Sequence, residues 1–143
     1  MKIGNNVRFW HKEFSNIGDC VIGDDCVIHS HVWIGDGVII GNRVKIQAFA
    51  FLPTGVIIED DVFIGPRVTF TNDRNMEGGH EDWLPTIVKQ GAKIGASSTI
   101  IAGVTLARNS FVGAGSLVTK DITDDMVVYG VPAKFVRFDK RAS

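Results

Sequence analysis

The side chains able to do chemistry gather in one polar stretch. Thr71-Asn72-Asp73-Arg74-Asn75-Met76-Glu77-Gly78-Gly79-His80-Glu81-Asp82-Trp83 opens on an Asn-Asp pair and sets His80 between two glycines and two carboxylates. An imidazole near a carboxylate can act as a general base, the carboxylate orienting the ring. Asn72 can hold an acceptor by hydrogen bonds, and Asp73 can orient it or attract its ammonium form. The bland counterpart is turn formation, which Asn and Asp favour, and an exposed loop histidine is often a bystander.

The bulk properties narrow the setting. The chain has 143 residues, room for one domain, with 45% hydrophobic and 22% charged residues and a net charge of −1. Near-neutral charge without a Lys/Arg run argues against a nucleic-acid partner or a membrane patch. Met1-Lys2-Ile3-Gly4-Asn5-Asn6 has no apolar core of a signal peptide, and no apolar run reaches transmembrane length. Cys20 and Cys26 make no disulfide framework, so a reducing cytoplasm fits.

The element that must carry the polar stretch is a repeat. Steps of six from Ile22 land on Ile28, Ile34, Ile40, Ile46, Leu52, Ile58, Ile64 and Phe70. They resume at Val88 and run through Ile94, Ile100, Leu106, Val112 and Val118. Four places after each comes a second small or branched residue, such as Cys26, Val32, Val38, Ser98 or Ser116. Asp25, Gly37, Gly55, Asp61, Gly91, Gly103, Asn109, Gly115 and Asp121 fall where a tight turn needs a left-handed backbone. This period describes a short strand and a turn, repeated: an all-β solenoid in which three units close one triangular coil. The register slips between Phe9 and Ile22, so Trp10 to Asn16 is expected to form a small loop. Phe70 and Val88 are three steps of six apart, one full coil. Residues 71–87 therefore either replace a coil or leave it as an extruded loop with phase kept; extrusion is favoured. A long loop on a rigid scaffold is an expected functional site.

Residues three steps apart stack on one another. This predicts a charge ladder of Asp25, Arg43 and Asp61, and a corner column of His31, Phe49 and Arg67. Trp33 and Phe51 point outward beside it, as do Val27, Ile39, Ile57 and Phe63. So much outward apolar surface predicts burial in a homo-oligomer, mainly through the early coils, because Lys93, Thr99 and Thr105 follow at the matching positions.

The repeats, the interrupting stretch and the tail (Gly113-Ala114-Gly115-Ser116, then Tyr129-Gly130-Val131-Pro132-Ala133-Lys134) resemble the hexapeptide-repeat acyltransferases over nearly the whole chain. More narrowly, Arg8-Phe9-Trp10-His11, Val44-Lys45-Ile46-Gln47, Glu59-Asp60-Asp61-Val62-Phe63-Ile64-Gly65-Pro66, Phe70-Thr71-Asn72-Asp73 and Thr86-Ile87-Val88-Lys89-Gln90-Gly91-Ala92 resemble the nucleotide-linked 3-amino-sugar N-acetyltransferases. The resemblance implies a left-handed parallel β-helix as a single domain over 1–143, with a non-repeat segment from about 124. It also implies a homotrimer with sites between neighbouring prisms, and acetyl-CoA as co-substrate. The acceptor would be the amino group of a dTDP- or UDP-linked sugar.

By the same resemblance, Asn72 lies beside the reacting amine, with Asp73 and His80 as further catalytic candidates. His11, Gln47 and Arg67 are candidates for substrate contact. Small residues at Ala96, Ala102, Gly103 and Ala114 would let pantetheine approach the backbone, and Lys120, Lys134 and Arg137 could meet phosphates or the adenine end. O-acetyltransferases of the superfamily use a loop histidine, so His80 acting as base on a sugar or xenobiotic alcohol is the alternative. A non-catalytic β-helix that serves as an assembly subunit is the other. Carbonic anhydrases of this fold need three histidines, two of them five apart; the four here, at 11, 29, 31 and 80, have no such pair, and no metal is expected.

Overall fold

A computed structural model describes residues 1–139. The chain is a left-handed parallel β-helix, a triangular prism whose faces are ladders of very short strands. The first face stacks Lys2–Ile3, Val21–Ile22, Ile39–Ile40, Val56–Ile58, Thr86–Val88 and Thr105–Leu106. The second stacks Arg8–Phe9, Val27–Ile28, Lys45–Ile46, Phe63–Ile64, Lys93–Ile94 and Phe111–Val112. It then continues into a hairpin of Met126–Gly130 and Ala133–Phe138. The third stacks Asn16–Ile17, Trp33–Ile34, Phe51–Leu52, Thr69–Phe70, Thr99–Ile100 and Leu117–Val118.

The step of six gives the core. Every position of the series from Ile22 to Phe70 and from Val88 to Val118 is buried, and Cys26, Val32, Val38, Ser98 and Ser116 fill the narrower inner places between. Both cysteines are free and buried, and burial pushes both thiols up, so they remain neutral.

The turns form three corners of different chemistry. The acidic corner, between the first and second faces, is a ladder of side chains that cap backbone N–H groups. Asp24 Oδ1 accepts from Asn5 N at 2.8 Å, Asn42 Oδ1 from Asp24 N at 2.8 Å, and Asp60 Oδ1 from Asn42 N at 2.7 Å. Outside it only half of the expected charge ladder forms among the described residues: Arg43 Nε lies 2.7 Å from Asp61 Oδ1, which holds the Asp61 carboxyl below its ordinary range, while Asp25 Oδ1 accepts from Asn6 Nδ2 at 2.9 Å instead of pairing with Arg43. The aromatic corner, between the second and third faces, carries Phe14, His31, Phe49 and Arg67. His31, Phe49 and Arg67 all take left-handed backbones (φ 59, 66 and 59) that bulky residues seldom adopt. At the end of the repeat the expectation fails. Asp121 does not take the left-handed conformation; its carboxylate caps Thr105 N at 2.8 Å, and Asp125 makes the left-handed turn (φ 60).

The third corner, between the third and first faces, releases the long loop. Ile40 pairs with Ile58, three steps of six further on, but Ile58 pairs with Val88, five steps further on. Two steps' worth of chain therefore leaves the prism, and no coil is lost. The loop is extruded with phase kept, as its polar sequence, without an aliphatic at the expected steps, favoured. The slip near the N-terminus is also real. Phe9 pairs with Ile28, one position beyond three steps, whereas Ile17 pairs with Ile34, one position short of them. A 3-10 turn at Lys12–Phe14 takes up the difference.

Candidate active site

The loop corner is built on one vertical column, Asp36, Thr54 and Asn72. Thr54 Oγ1 donates to the Asp36 carbonyl at 2.8 Å, and Asn72 Nδ2 donates to the Thr54 carbonyl at 2.9 Å. These bonds fix the Asn72 amide with its donor end turned to the prism, leaving Oδ1 as the acceptor for something outside. Asn72 also holds the loop's return, its carbonyl accepting from Leu84 N at 3.0 Å. Beside it opens a cleft of about 360 Å³ on the third face, walled by Trp33, Phe51 and Trp83, with Asp36 and Thr54 at its edge.

Asp73 is engaged elsewhere. Its Oδ2 accepts from Gly78 N at 2.6 Å, and this bond, with those from Glu77, Met76 and Asn75, holds the carboxyl below its ordinary range. It ties the loop's first turn. His80 is exposed, its ring 4.3 Å from that of Trp83, and among the described residues no carboxylate bonds it despite Glu81 and Asp82 alongside. Both flanking acids lie in the same short 3-10 turn, His80–Asp82, which does not bring either carboxylate to the ring.

The substrate candidates lie across the third face, at the aromatic corner. His11 packs against Phe14 with ring centroids 5.9 Å apart, and Phe14, His31 and Phe49 continue as a stack at 5.3 and 4.8 Å. The Arg67 guanidinium lies 5.7 Å over the Phe49 ring. Gln47 opens the Phe49 turn, directly after the strand Lys45–Ile46. A prism face therefore separates this group from Asn72.

The candidates for cofactor contact also divide. Ala96 and Ala114 sit one above the other in the aromatic corner, where Gly115 N donates to the Ala96 carbonyl at 2.8 Å. Ala114 is exposed. Ala102 and Gly103 lie in the loop corner under the loop itself. Ala102 is fully buried, and its N–H donates to Thr71 Oγ1 at 3.0 Å. A side chain on Gly103 would meet Leu84 at 3.1 Å. Lys120 is exposed at the loop corner, and Lys134 is exposed on the hairpin, opposite Tyr129.

Two supporting residues escaped the sequence reading. Thr54 stands three steps of six before Asn72, so the stacking rule, extended by one coil into the loop, finds it. Trp83 reaches the cleft through an antiparallel bridge with Asp73, a loop conformation with no periodic signal. His29 stacks on Trp10 (centroids 6.1 Å) while His31 joins the Phe14–Phe49 stack, so these two imidazoles have separate settings. Among the described residues no helix is long and apolar enough to cross a membrane.

The sequence pattern of bacterial transferase hexapeptide repeats (six repeats) matches residues 37–72, and that of the hexapeptide repeat of succinyl-transferase matches 18–48 and 85–120. The chain is similar to a galactoside O-acetyltransferase of Lactococcus lactis, at 29% identity over 130 residues, 81% of this chain and 61% of that protein. It is 52% identical over 54 residues to dTDP-3-amino-3,6-dideoxy-alpha-D-galactopyranose 3-N-acetyltransferase of Aneurinibacillus thermoaerophilus, 38% of this chain and 28% of that protein. These matches span less than two thirds of either relative. Among solved structures, AntD, an N-acyltransferase from Bacillus cereus in complex with dTDP and 3-hydroxybutyryl-CoA, superposes with TM-score 0.86 at 23% identity, covering 98% of this chain and 84% of that one. That likeness establishes the fold.

Proposed function

The chain belongs to the hexapeptide-repeat family of bacterial transferases, and on that premise we propose that it is an acyl-CoA-dependent N-acetyltransferase. Its acceptor is the amino group of a dTDP- or UDP-linked sugar. It works as a cytoplasmic homotrimer, with each site shared by two subunits.

The observation that carries the reading is what stands at the cleft. The residue there is an anchored asparagine, while the loop histidine lies outside the lining and lacks an orienting carboxylate. An unprotonated amine is already a good nucleophile. It needs a hydrogen-bond acceptor to aim its lone pair at the thioester and, once it has attacked, a route for its surplus proton. Asn72 Oδ1 supplies the first; as the thioester C–S bond breaks, the departing CoA thiolate takes up the surplus proton and leaves as free thiol; and Trp33, Phe51 and Trp83 form the wall for the sugar. The 52% identity to a 3-N-acetyltransferase over 54 residues supports the same acceptor.

Sharing between subunits explains the division of the candidates. Asn72 on one subunit's loop faces the neighbour's aromatic corner, which contributes His11, Gln47 and Arg67 to the nucleotide-sugar. Ala96 and Ala114 of that corner admit pantetheine. Trp10, Phe14, Trp33, Ile39, Phe49 and Phe51, exposed in a single chain, are covered by that contact.

The direct test is turnover of acetyl-CoA with a panel of amino-sugar nucleotides and simple alcohols, following release of free thiol. Turnover with an amino-sugar nucleotide and none with the alcohols is expected. The similarity to a galactoside O-acetyltransferase gives the second reading, a hydroxyl acceptor with His80 as base. His80→Ala separates the two. On the amine reading kcat falls by less than about tenfold, because no base of that strength is required. Near-complete loss, with turnover of alcohols in the wild type, would establish the hydroxyl reading instead.

A further inference from the structure

The extruded loop ends in a short turn that has no part in the mechanism above. Gly78 and Gly79 lead into the 3-10 turn His80–Asp82, and the Trp83 N–H closes it on the His80 carbonyl at 3.3 Å. A 3-10 helix has about three residues per turn, so side chains one turn apart eclipse one another. His80 and Trp83 stand in that relation, and their rings meet with centroids 4.3 Å apart at an interplanar angle of 32°.

Trp83 belongs to the cleft wall, whereas His80 does not. The backbone at Trp83 is fixed by its antiparallel bridge to Asp73 and by the neighbouring bond from Leu84 N to the Asn72 carbonyl. The indole is not fixed in that way. Its Nε1 is buried without a hydrogen-bond partner, and so is Oδ1 of Asp73, the residue opposite it in the bridge. An unpaired buried N–H is costly, so the indole gains by turning to find a partner unless something holds it. Trp33 and Phe51 pair with each other, and among the described residues the ring that meets Trp83 is that of His80. The angle of the indole in the wall is thus set by the imidazole lying on it and by no hydrogen bond.

We infer that His80 is a positioning residue, its ring clamping the Trp83 indole in place as one wall of the acceptor cleft without exchanging a proton. The kinetic consequence rests on the acyltransferase reading; the clamp does not. A flat ring is what the position requires, so a phenyl group serves there and an amide of imidazole-like polarity does not.

Two measurements on the full chain test this, each with His80→Ala, His80→Gln and His80→Phe. The first reads the clamp. With Trp10→Phe and Trp33→Phe in the background, Trp83 is the sole tryptophan. Its emission is expected to become more open to acrylamide quenching in the alanine and glutamine variants and to match the parent in the phenylalanine variant. The second reads what the clamp does, in chains that keep all three tryptophans. KM for the amino-sugar nucleotide rises about three- to tenfold with alanine or glutamine, the weight of one aromatic pair, while kcat and KM for acetyl-CoA change little; phenylalanine restores it. His80 is exposed, and an unchanged melting temperature certifies each variant's fold. Equal quenching in all the chains would overturn the inference whatever the reaction, and an unmoved KM would overturn the role in acceptor binding. Collapse of kcat in all three variants, phenylalanine included, would overturn it in favour of proton transfer by the imidazole. The expected quenching in a protein whose wild type turns over no amino-sugar nucleotide would uphold the clamp and contradict the proposed acceptor alone.

Discussion

Replacing Asn72 by alanine is expected to lower kcat about 100-fold while KM for both substrates changes little, the cost of losing one positioning contact at the reacting atoms. The amide is held at its nitrogen by the Thr54 carbonyl, so its oxygen has one orientation to offer the amine. Alanine removes that acceptor and leaves the wall of Trp33, Phe51 and Trp83, so the sugar still binds but its amine is no longer aimed. Asn72→Asp is the informative companion. It keeps an acceptor but loses the donor to Thr54, so the side chain swings and kcat falls without recovery at any pH at which the carboxylate is charged. Steady-state kinetics by thiol release checks both. A KM effect alone would make Asn72 a binding residue.

The second large effect is on stability. Ile46→Ala should cost about 2–5 kcal/mol, the range for deleting a buried aliphatic side chain. Ile46 is fully buried between Ile28 and Ile64, its partners in the coils below and above. In a stacked solenoid each coil is held mainly by its neighbours, so one cavity weakens two interfaces. At roughly 2–4 °C per kcal/mol, the melting temperature falls by about 5–15 °C. Lys45→Ala, one residue earlier on the same strand but pointing outward, should leave it within a degree or two. Thermal unfolding followed by circular dichroism distinguishes them. Equal shifts would mean that the inward step of six is not what holds the coil.

Those neighbouring residues show why the fold was so legible. The inward step of six and the left-handed turn at the third corner position are local constraints that each coil repeats. Aliphatics at 22, 28 and 34 and turn residues at 25 and 37 therefore state the architecture directly. The spacing of Phe70 and Val88, three steps of six with nothing left over, allowed either a replaced coil or an extruded loop, and the polar stretch between them, with no aliphatic at the expected steps, favoured extrusion. What the step could not deliver is the loop's own conformation. Asp73 and His80 read as chemistry from their types, yet Asp73 ties a turn and His80 lies on Trp83. Only the folded loop decides which polar groups are already bonded. The small residues at Ala102 and Gly103 looked like Ala96 and Ala114 in sequence, but the loop lies across the first pair and not the second. Asn72 and Arg67 are near neighbours in the chain and on opposite edges of a face in the prism. Sequence distance thus concealed the division from which the shared site is argued.

That division gives the most direct measurement. Asn72→Ala and Arg67→Ala chains, carrying different tags, are purified separately, then unfolded together and refolded as mixed oligomers. If each site joins one subunit's loop to its neighbour's aromatic corner, random mixing restores about a quarter of wild-type activity, the chance that both contributors to a site are intact. Activity no higher than the mean of the two parents, in oligomers that demonstrably contain both tags, would contradict the shared site.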